Sequence, residues 1–179
     1  MRTPAFLQTR VERLERSLDV SGIVAILADR TEKTYERAHA AKALADLADR
    51  LGDHRDEAVG VLLEAAEERT EIRKWALLAL AELHEPAALP AFHRAAQDGD
   101  WMVRIFAAHG FDRLRSHDSL VQVVGLLADE ESAVREAAAG ALASIGDRRV
   151  RPLLEHAAAA DPYPWVREAA RDALVALER

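Results

Sequence analysis

The sequence predicts an all-α protein, built as a solenoid (an α–α superhelix) of about five helix pairs. The first observation is a repeated arginine, found at intervals of 36, 31, 31 and 32 residues: Arg37, Arg73, Arg104, Arg135 and Arg167. The second is composition, because half of the residues are hydrophobic, alanine is abundant and only 5% are aromatic. Alanine loses no side-chain entropy in a helix and therefore favours that structure. The third is that the sequence shows no alternating strand pattern, so a repeated helical unit explains the periodicity.

One stretch shows the repeating unit most clearly, and it runs from Ser132 to Asp161. It predicts a helix over 134–145, a Gly146-Asp147 turn and a second helix over 150–160. A large apolar residue follows the arginine by seven positions in every copy: Leu44, Leu80, Phe111, Leu142 and Leu174. This residue belongs to an apolar stripe along one face of the helix. One helix pair is too small to bury the stripe alone, so we expect neighbouring pairs to stack and bury it.

The other helices follow in chain order and are separated by turn residues such as Glu85-Pro86. An amphipathic helix opens the chain, and we expect residues 1–19 to cap the stack. The predicted helices span 4–17, 20–28, 34–50, 54–68, 71–83, 86–97, 101–114, 118–128, 131–145, 148–160 and 163–178. Residues 20–179 then hold the repeats. No low-complexity linker divides the chain, so we predict a single domain over 1–179.

An acidic residue stands six positions before four of the five arginines. The pairs are Glu67 with Arg73, Asp98 with Arg104, Asp129 with Arg135, and Asp161 with Arg167. The first copy departs from the rule, with Thr31 in the acidic position. The arginines could form an anion-binding stripe, or each could bond an acidic residue or turn carbonyls of its own or the adjacent repeat. The fixed offset favours this second, structural ladder, because bidentate pairing of arginine with carboxylate needs a fixed geometry.

These residues carry a resemblance to a known family. The last copy reads Pro152, Leu153, Leu154, Asp161, Val166, Arg167, Ala170 and Leu174. This pattern resembles HEAT repeats, and the period of about 31 residues resembles the HEAT-like subclass named from phycobilisome lyases. The resemblance implies a right-handed superhelical stack, with the Val-Arg helices lining its concave surface. The first copy has Glu36 in place of valine, which suits a terminal, capping repeat.

Composition and motifs argue against several classes of function. The net charge of −7 disfavours binding to nucleic acid, which depends on neutralising phosphates. The chain has no cysteine, and its seven histidines form no His-Glu-x-x-His motif. No glycine-rich phosphate loop is present either. We therefore predict no catalytic residue, no cofactor and no metal. The sequence also shows neither a signal peptide nor an uncharged apolar run of about 18 residues, so we expect no membrane span and a cytoplasmic location.

The central repeats differ from their neighbours on the expected concave surface. They place large apolar side chains there, and we predict a partner site formed by Trp75, Leu78, Ile105, Phe106, His109 and Asp112. Exposed apolar clusters commonly mark partner sites, and aromatic residues often dominate their binding energy. For Trp75 and Phe106 alone the pattern favours packing at the edge of the core over contact with a partner, whereas for Leu78 and Ile105 it favours contact with a partner.

The function that these patterns favour is a non-catalytic scaffold that binds a protein or peptide in its concave groove. The alternative is a subunit of an enzyme resembling the bilin-lyase class, which would bind a tetrapyrrole or another apolar ligand. No residue in the sequence identifies a substrate. The end of a repeat stack can also pair with a second copy, which leaves open a homodimer through the C-terminal end.

Overall fold

The computed structural model describes residues 9–68 and 71–179, and these residues form eleven α-helices and no strand. This confirms the predicted all-α class. The helices are α1 (Arg10–Ser17), α2 (Val20–Ala28), α3 (Thr34–Asp46), α4 (Arg55–Ala65), α5 (Glu71–Glu82), α6 (Leu89–Ala95), α7 (Trp101–Leu114), α8 (Leu120–Leu126), α9 (Ser132–Ile145), α10 (Arg151–Ala160) and α11 (Pro164–Ala176). The part of the predicted first helix before Thr9 lies outside the described residues.

The helix ends follow local capping chemistry that the sequence only partly reveals. Three helices expected to start in α conformation instead open with a 3-10 turn: Pro86–Ala88 before α6, His117–Ser119 before α8 and Arg148–Val150 before α10. Before α10, the Asp147 side chain accepts the backbone N–H of Arg149, and such a side-chain bond tightens the first turn. Helix α9 is capped by Gly146, whose φ of 75° suits a residue without a side chain.

The chain forms two compact units, Met1–Leu83 and His84–Arg179. In the first unit, α3 packs against α5 and α2, and α4 packs against α5 and α2. Helix α1 lies on α2 and α3, as expected of a capping helix. Thr9 caps its N-terminus: the Thr9 hydroxyl accepts the backbone N–H of Glu12, and the Glu12 carboxylate accepts the backbone N–H of Thr9. The core side chains are fully buried, among them Leu27, Leu44, Leu62, Leu77 and Leu80.

The second unit has two layers of helices. Helices α7, α9 and α11 pack side by side in one layer, and α6, α8 and α10 each pack against the helix that follows them. Alanine lies in the same place on α7, α9 and α11, and Ala107, Ala138 and Ala170 are all fully buried. Because these side chains are small, adjacent helices approach closely. The prediction of one domain over 1–179 stays a prediction.

A glycine inside α7 accommodates the largest side chain of the layer beneath it. A Cβ on Gly110 would lie 2.5 Å from three ring carbons of Phe92. The Phe92 ring meets Phe111 edge to face, with ring centroids 6.3 Å apart, and both rings are fully buried. Any larger residue than glycine in this position would therefore force the ring to move.

Candidate groove and arginine ladder

Arg104 joins two successive turns of the second unit. Its Nε and Nη2 atoms each donate to the Asp129 carboxylate at 2.7 Å. Its Nη1 atom donates to the carbonyl oxygens of Asp98 and Gly99, at 2.9 and 3.3 Å. The arginine therefore bonds the acidic residue of the next repeat and the backbone of its own turn.

Arg135 repeats this arrangement one step further along the chain. Its Nε and Nη2 atoms donate to Asp161 at 2.7 and 3.1 Å, and Nη1 donates to the carbonyl oxygens of Asp129 and Glu130. The side chains of Arg135 and Asp161 are only 11% and 7% exposed. The Tyr163 ring lies 5.7 Å from the guanidinium carbon and adds a cation–π contact.

The acidic partners are held by their own turns as well as by arginine. One oxygen of Asp129 accepts the backbone N–H of Glu131, and Asp161 accepts that of Tyr163 in the same way. Burial raises the pKa of Asp129, but the hydrogen bonds from Arg104 and from the Glu131 backbone outweigh it, so that the pKa lies below its usual 3.8. The hydrogen bond from Arg135 likewise lowers the pKa of Asp161. Both carboxylates are therefore charged at neutral pH.

The first unit uses the same type of bond with different residues. Arg37 donates from Nη1 and Nη2 to Glu68, at 3.0 and 2.7 Å, and from Nε to the carbonyl oxygen of Leu27. The acidic partner is thus Glu68 and not its neighbour Glu67. Asp29 accepts the backbone N–H of Thr31 at 2.9 Å, just as Asp129 accepts the backbone N–H of Glu131. Asp29 stands eight residues before Arg37, whereas Asp98, Asp129 and Asp161 each stand six residues before an arginine. This longer turn explains why a fixed six-residue offset placed threonine in the acidic position.

Of the other predicted ladder residues, Glu67 lies outside its predicted helix over 54–68, because α4 ends at Ala65. Arg73 is on α5, Glu67 is in the turn after α4, and Asp98 is in the turn before α7. Asp98 accepts the backbone N–H of Asp100. Arg167, on α11, donates from Nη1 to the carbonyl oxygens of Asp161 and Pro162, at 2.7 and 3.1 Å.

A groove of about 710 Å³ runs over the middle of α9 between α7 and α11. We call it the α9 groove. Its lining residues are Ile105, Ala133, Glu136, Ala137, Gly140, Ala143, Ala169, Asp172, Ala173 and Ala176. The floor is made of small residues, and among the ten described lining residues only Glu136 and Asp172, both exposed, carry a charge. The surface is therefore open, shallow and acidic.

The predicted partner residues fall in both units. Trp75 and Leu78 lie on α5 of the first unit, and the other four lie on α7 of the second. All six side chains are half-buried. Of those on α7, Ile105 alone lines the α9 groove. The Asp112 carboxylate accepts a hydrogen bond from Ser144 and so ties α7 to α9. Their assembly into one cluster stays a prediction.

The α9 groove itself was missed by sequence reasoning, which looked for large apolar side chains. The feature of the sequence that marks the groove is instead a set of unusually small side chains. Gly140 and Ala143 are small where the copy on α7 has His109 and Asp112. In a repeat array, a position where one copy carries a much smaller side chain can mark a depression in the surface.

A second, apolar groove of about 390 Å³ lies in the other layer, between α8 and α10. Val124, Leu127 and Leu153 supply its apolar lining. None of the described helices combines the length and the apolar character needed to cross a bilayer.

Two protein-family models match the chain. The model described as HEAT repeats matches residues 92–175, and the model described as PBS lyase HEAT-like repeat matches residues 72–98. No curated protein matches the sequence significantly.

Solved structures share the fold at low sequence identity. The complex of CpcE and CpcF of phycocyanin lyase from Nostoc sp. PCC7120 is 23% identical, with a TM-score of 0.80 over 99% of this chain and 69% of that chain. A designed armadillo repeat protein in complex with the peptide (KR)4 is 20% identical, with a TM-score of 0.75 over 93% of this chain and 85% of that one. Human deoxyhypusine hydroxylase is 21% identical, with a TM-score of 0.56 over 94% and 76%. The shared architecture is a helical-repeat solenoid, as the sequence predicted.

Proposed function

Because the chain belongs to the HEAT-like repeat proteins of the phycobilisome-lyase type, we propose that it is a non-catalytic scaffold that binds a protein partner in the α9 groove. The observation that carries this proposal is the groove itself, an open surface over three helices packed side by side. A segment of a partner chain can lie along such a surface without any rearrangement of the helices.

The ladder supports the proposal because it holds the walls of the groove in place. Arg104 bonds the turn that begins α9, and Arg135 bonds the turn that begins α11. Binding to a surface that is already ordered loses little conformational entropy. The two charged pairs thus contribute to affinity without touching the partner.

The charge of the groove favours a basic partner segment. Glu136 and Asp172 face it, and no lysine or arginine is among its ten described lining residues. Opposite charges speed the encounter of two surfaces and disfavour partners of the wrong sign. The designed armadillo protein in complex with (KR)4 supports the idea that a stack of this type can hold a basic peptide. We retain the half-buried residues outside the groove as proposed additional contacts: Trp75, Leu78, Phe106, His109 and Asp112.

A pair of glycine variants tests whether the groove is the binding surface. A Cβ on Gly140 or on Gly125 would meet no atom within 4 Å, and both residues lie inside helices, on α9 and α8 respectively. Gly140→Leu fills the floor of the groove, whereas Gly125→Leu adds the same side chain outside it. Partners captured from native extract by the parent chain and by Gly125→Leu should be lost with Gly140→Leu. If every captured partner survives Gly140→Leu, the groove is not the site.

A defined peptide tests the preference for basic segments. Fluorescence anisotropy with labelled (KR)4 should detect binding to the parent chain, and Glu136→Lys with Asp172→Lys should weaken it by about tenfold or more. Asp118→Lys is the matched control, because Asp118 is an exposed acid of the same unit outside the groove. Absence of binding to the parent chain at low salt, or equal losses in both variants, would contradict a specific basic site.

The second candidate is a subunit of a lyase-like enzyme that binds a bilin. The match to the PBS lyase HEAT-like repeat and the TM-score of 0.80 with the CpcE–CpcF complex favour it. The apolar groove between α8 and α10 would offer such a ligand its surface. Mixing the chain with a free bilin should then shift the visible absorption of the bilin, and Leu153→Asp should abolish the shift. An unchanged spectrum would remove this candidate.

A further inference from the structure

Arg167 occupies the same place on α11 as Arg104 on α7 and Arg135 on α9. In those two arginines, the Nε and Nη2 atoms together grip the aspartate of the following repeat. Arg167 makes the shared bond from Nη1 to the carbonyl oxygens of its own turn. Within residues 9–68 and 71–179, however, no acceptor lies within bonding distance of its Nε and Nη2 atoms.

The nearest acids are Glu168 and Asp172 on α11 and Glu178 just after it, and none fills this position. The Glu168 side chain is exposed. Glu178 bonds Arg151 at 3.1 Å, and Asp172 lines the α9 groove. Asp161 offers Arg167 its backbone oxygen, while its carboxylate is taken by Arg135. Arg167 is a half-buried residue with two free donors on one edge of its guanidinium group, and this arrangement is a preformed site for a carboxylate.

The face of α11 that carries Arg167 is not covered by a further repeat within the described residues, unlike the corresponding face of α9. Ala139 and Leu142 on α9 are fully buried. The corresponding residues on α11 are Arg171, which is exposed, and Leu174, which is half-buried, and the neighbouring Val175 is 53% exposed. The same helix surface that a further repeat covers on α9 is thus open to solvent on α11.

We propose that this face docks a helical-repeat segment from outside these 179 residues, with an aspartate of that segment in the fork of Arg167. The partner's chemistry follows from the two equivalent sites in the chain. In both, the occupant is an aspartate that accepts the backbone N–H two residues later, in a turn between two helices. Leu174 and Val175 supply the apolar contact that an adjacent helix pair would cover.

A second copy of the chain fits this face less well. On the face of α11 that carries Leu174 and Val175, the charged groups of this helix are the guanidinium groups of Arg167 and Arg171. A symmetric pair would bring both arginines of one copy towards both arginines of the other, and like charges at an interface are unfavourable. The observations therefore favour an acidic partner over the homodimer.

A peptide of residues 147–179 is a suitable probe, because it carries α10, α11 and Asp161 in the turn that Arg135 already recognises. The full chain should bind the labelled peptide in anisotropy measurements. Arg167→Ala in the chain, or Asp161→Asn in the peptide, should each weaken binding by about tenfold or more, and the two changes together should weaken it little further. Arg149→Ala is the matched control, because this exposed arginine bonds only Asp147 in the α9–α10 turn.

Three results would overturn the proposal. The first is the absence of peptide binding at concentrations up to about 1 mM, where a dissociation constant of that size would correspond to a binding free energy of about 4 kcal/mol. The second is equal binding by the parent chain and by Arg167→Ala, with the helical circular dichroism of both chains unchanged. The third is a dimer of the parent chain in sedimentation velocity that Arg167→Ala abolishes, because it would assign the face to a second copy.

Discussion

Replacing Arg135 by alanine tests whether the ladder holds the second unit together. The substitution removes four hydrogen bonds: two to the Asp161 carboxylate, and one each to the carbonyl oxygens of Asp129 and Glu130. It leaves Asp161 buried, with a side chain only 7% exposed and only the backbone N–H of Tyr163 as a remaining donor. A buried charge that loses its partner is costly, because the free energy lost by removing it from bulk water is no longer compensated.

The expected loss follows from this geometry. Removing one member of a buried pair costs about 3–5 kcal/mol, and we place Arg135→Ala near the lower end, at about 3 kcal/mol, because Asp161 keeps one bond. Arg167→Ala is the matched control within the same unit. It removes only the two bonds to turn carbonyls, so it should cost about 1 kcal/mol. The difference between the two variants measures the pairing between repeats.

Urea unfolding followed by circular dichroism gives both free energies. Because repeat arrays can unfold in more than one step, the comparison requires that both variants keep the slope of the parent chain. A further variant, Asp161→Asn, completes a double-mutant cycle with Arg135→Ala. If Arg135→Ala costs no more than Arg167→Ala, or if the cycle shows no coupling, the pairing does not stabilise the fold and our reasoning is wrong.

Two further predictions concern packing and pH. Gly110→Ala should lower the free energy of unfolding by about 1–3 kcal/mol, because the new Cβ would meet the Phe92 ring. Gly125→Ala is the control: its Cβ has open space, and the substitution should raise the free energy of unfolding by up to about 1 kcal/mol. Equal effects of the two variants in urea unfolding would contradict this account. The pKa values of Asp129 and Asp161 are lowered in the folded chain, so the stability that they contribute is complete above about pH 4 and is lost as the pH falls through their folded values. A chain with both changed to asparagine should therefore lose less stability than the parent between about pH 5 and about pH 3 in the same assay, and parallel pH profiles would refute the assignment.

The sequence was sufficient for the architecture because the core and the ladder repeat. Leu142 and Phe111 stand at equal distances after their arginines, and both are fully buried. Sequence spacing failed where a turn changed length, as at Asp29, or where a contact depends on the shape of one side chain, as with Gly110 beneath Phe92. No periodic pattern can reveal such contacts, because they occur once.

The candidate site was harder to predict for a related physical reason. The prediction of the partner site started from large apolar residues and included Asp112 because of its place beside them. In the structure, Asp112 accepts a hydrogen bond from Ser144 within the fold. The surface that is open to a partner lies where side chains are missing, over Gly140 and its neighbours. The depth of a groove depends on how much the side chains at corresponding positions of adjacent repeats differ in size. This depth can be measured only once the helices are placed side by side.

The ladder also explains why the exposed columns are free to differ. Arg104 and Arg135, with their aspartates, set the positions of α7, α9 and α11, and the fully buried alanines set their spacing. Because these contacts hold the helices together, the side chains of Ile105 and Glu136 in the α9 groove are not needed for that purpose. The corresponding residue can therefore be Ile105 on α7 and Glu136 on α9 without altering the fold. The variation that this permits is what gives the α9 groove a chemistry of its own.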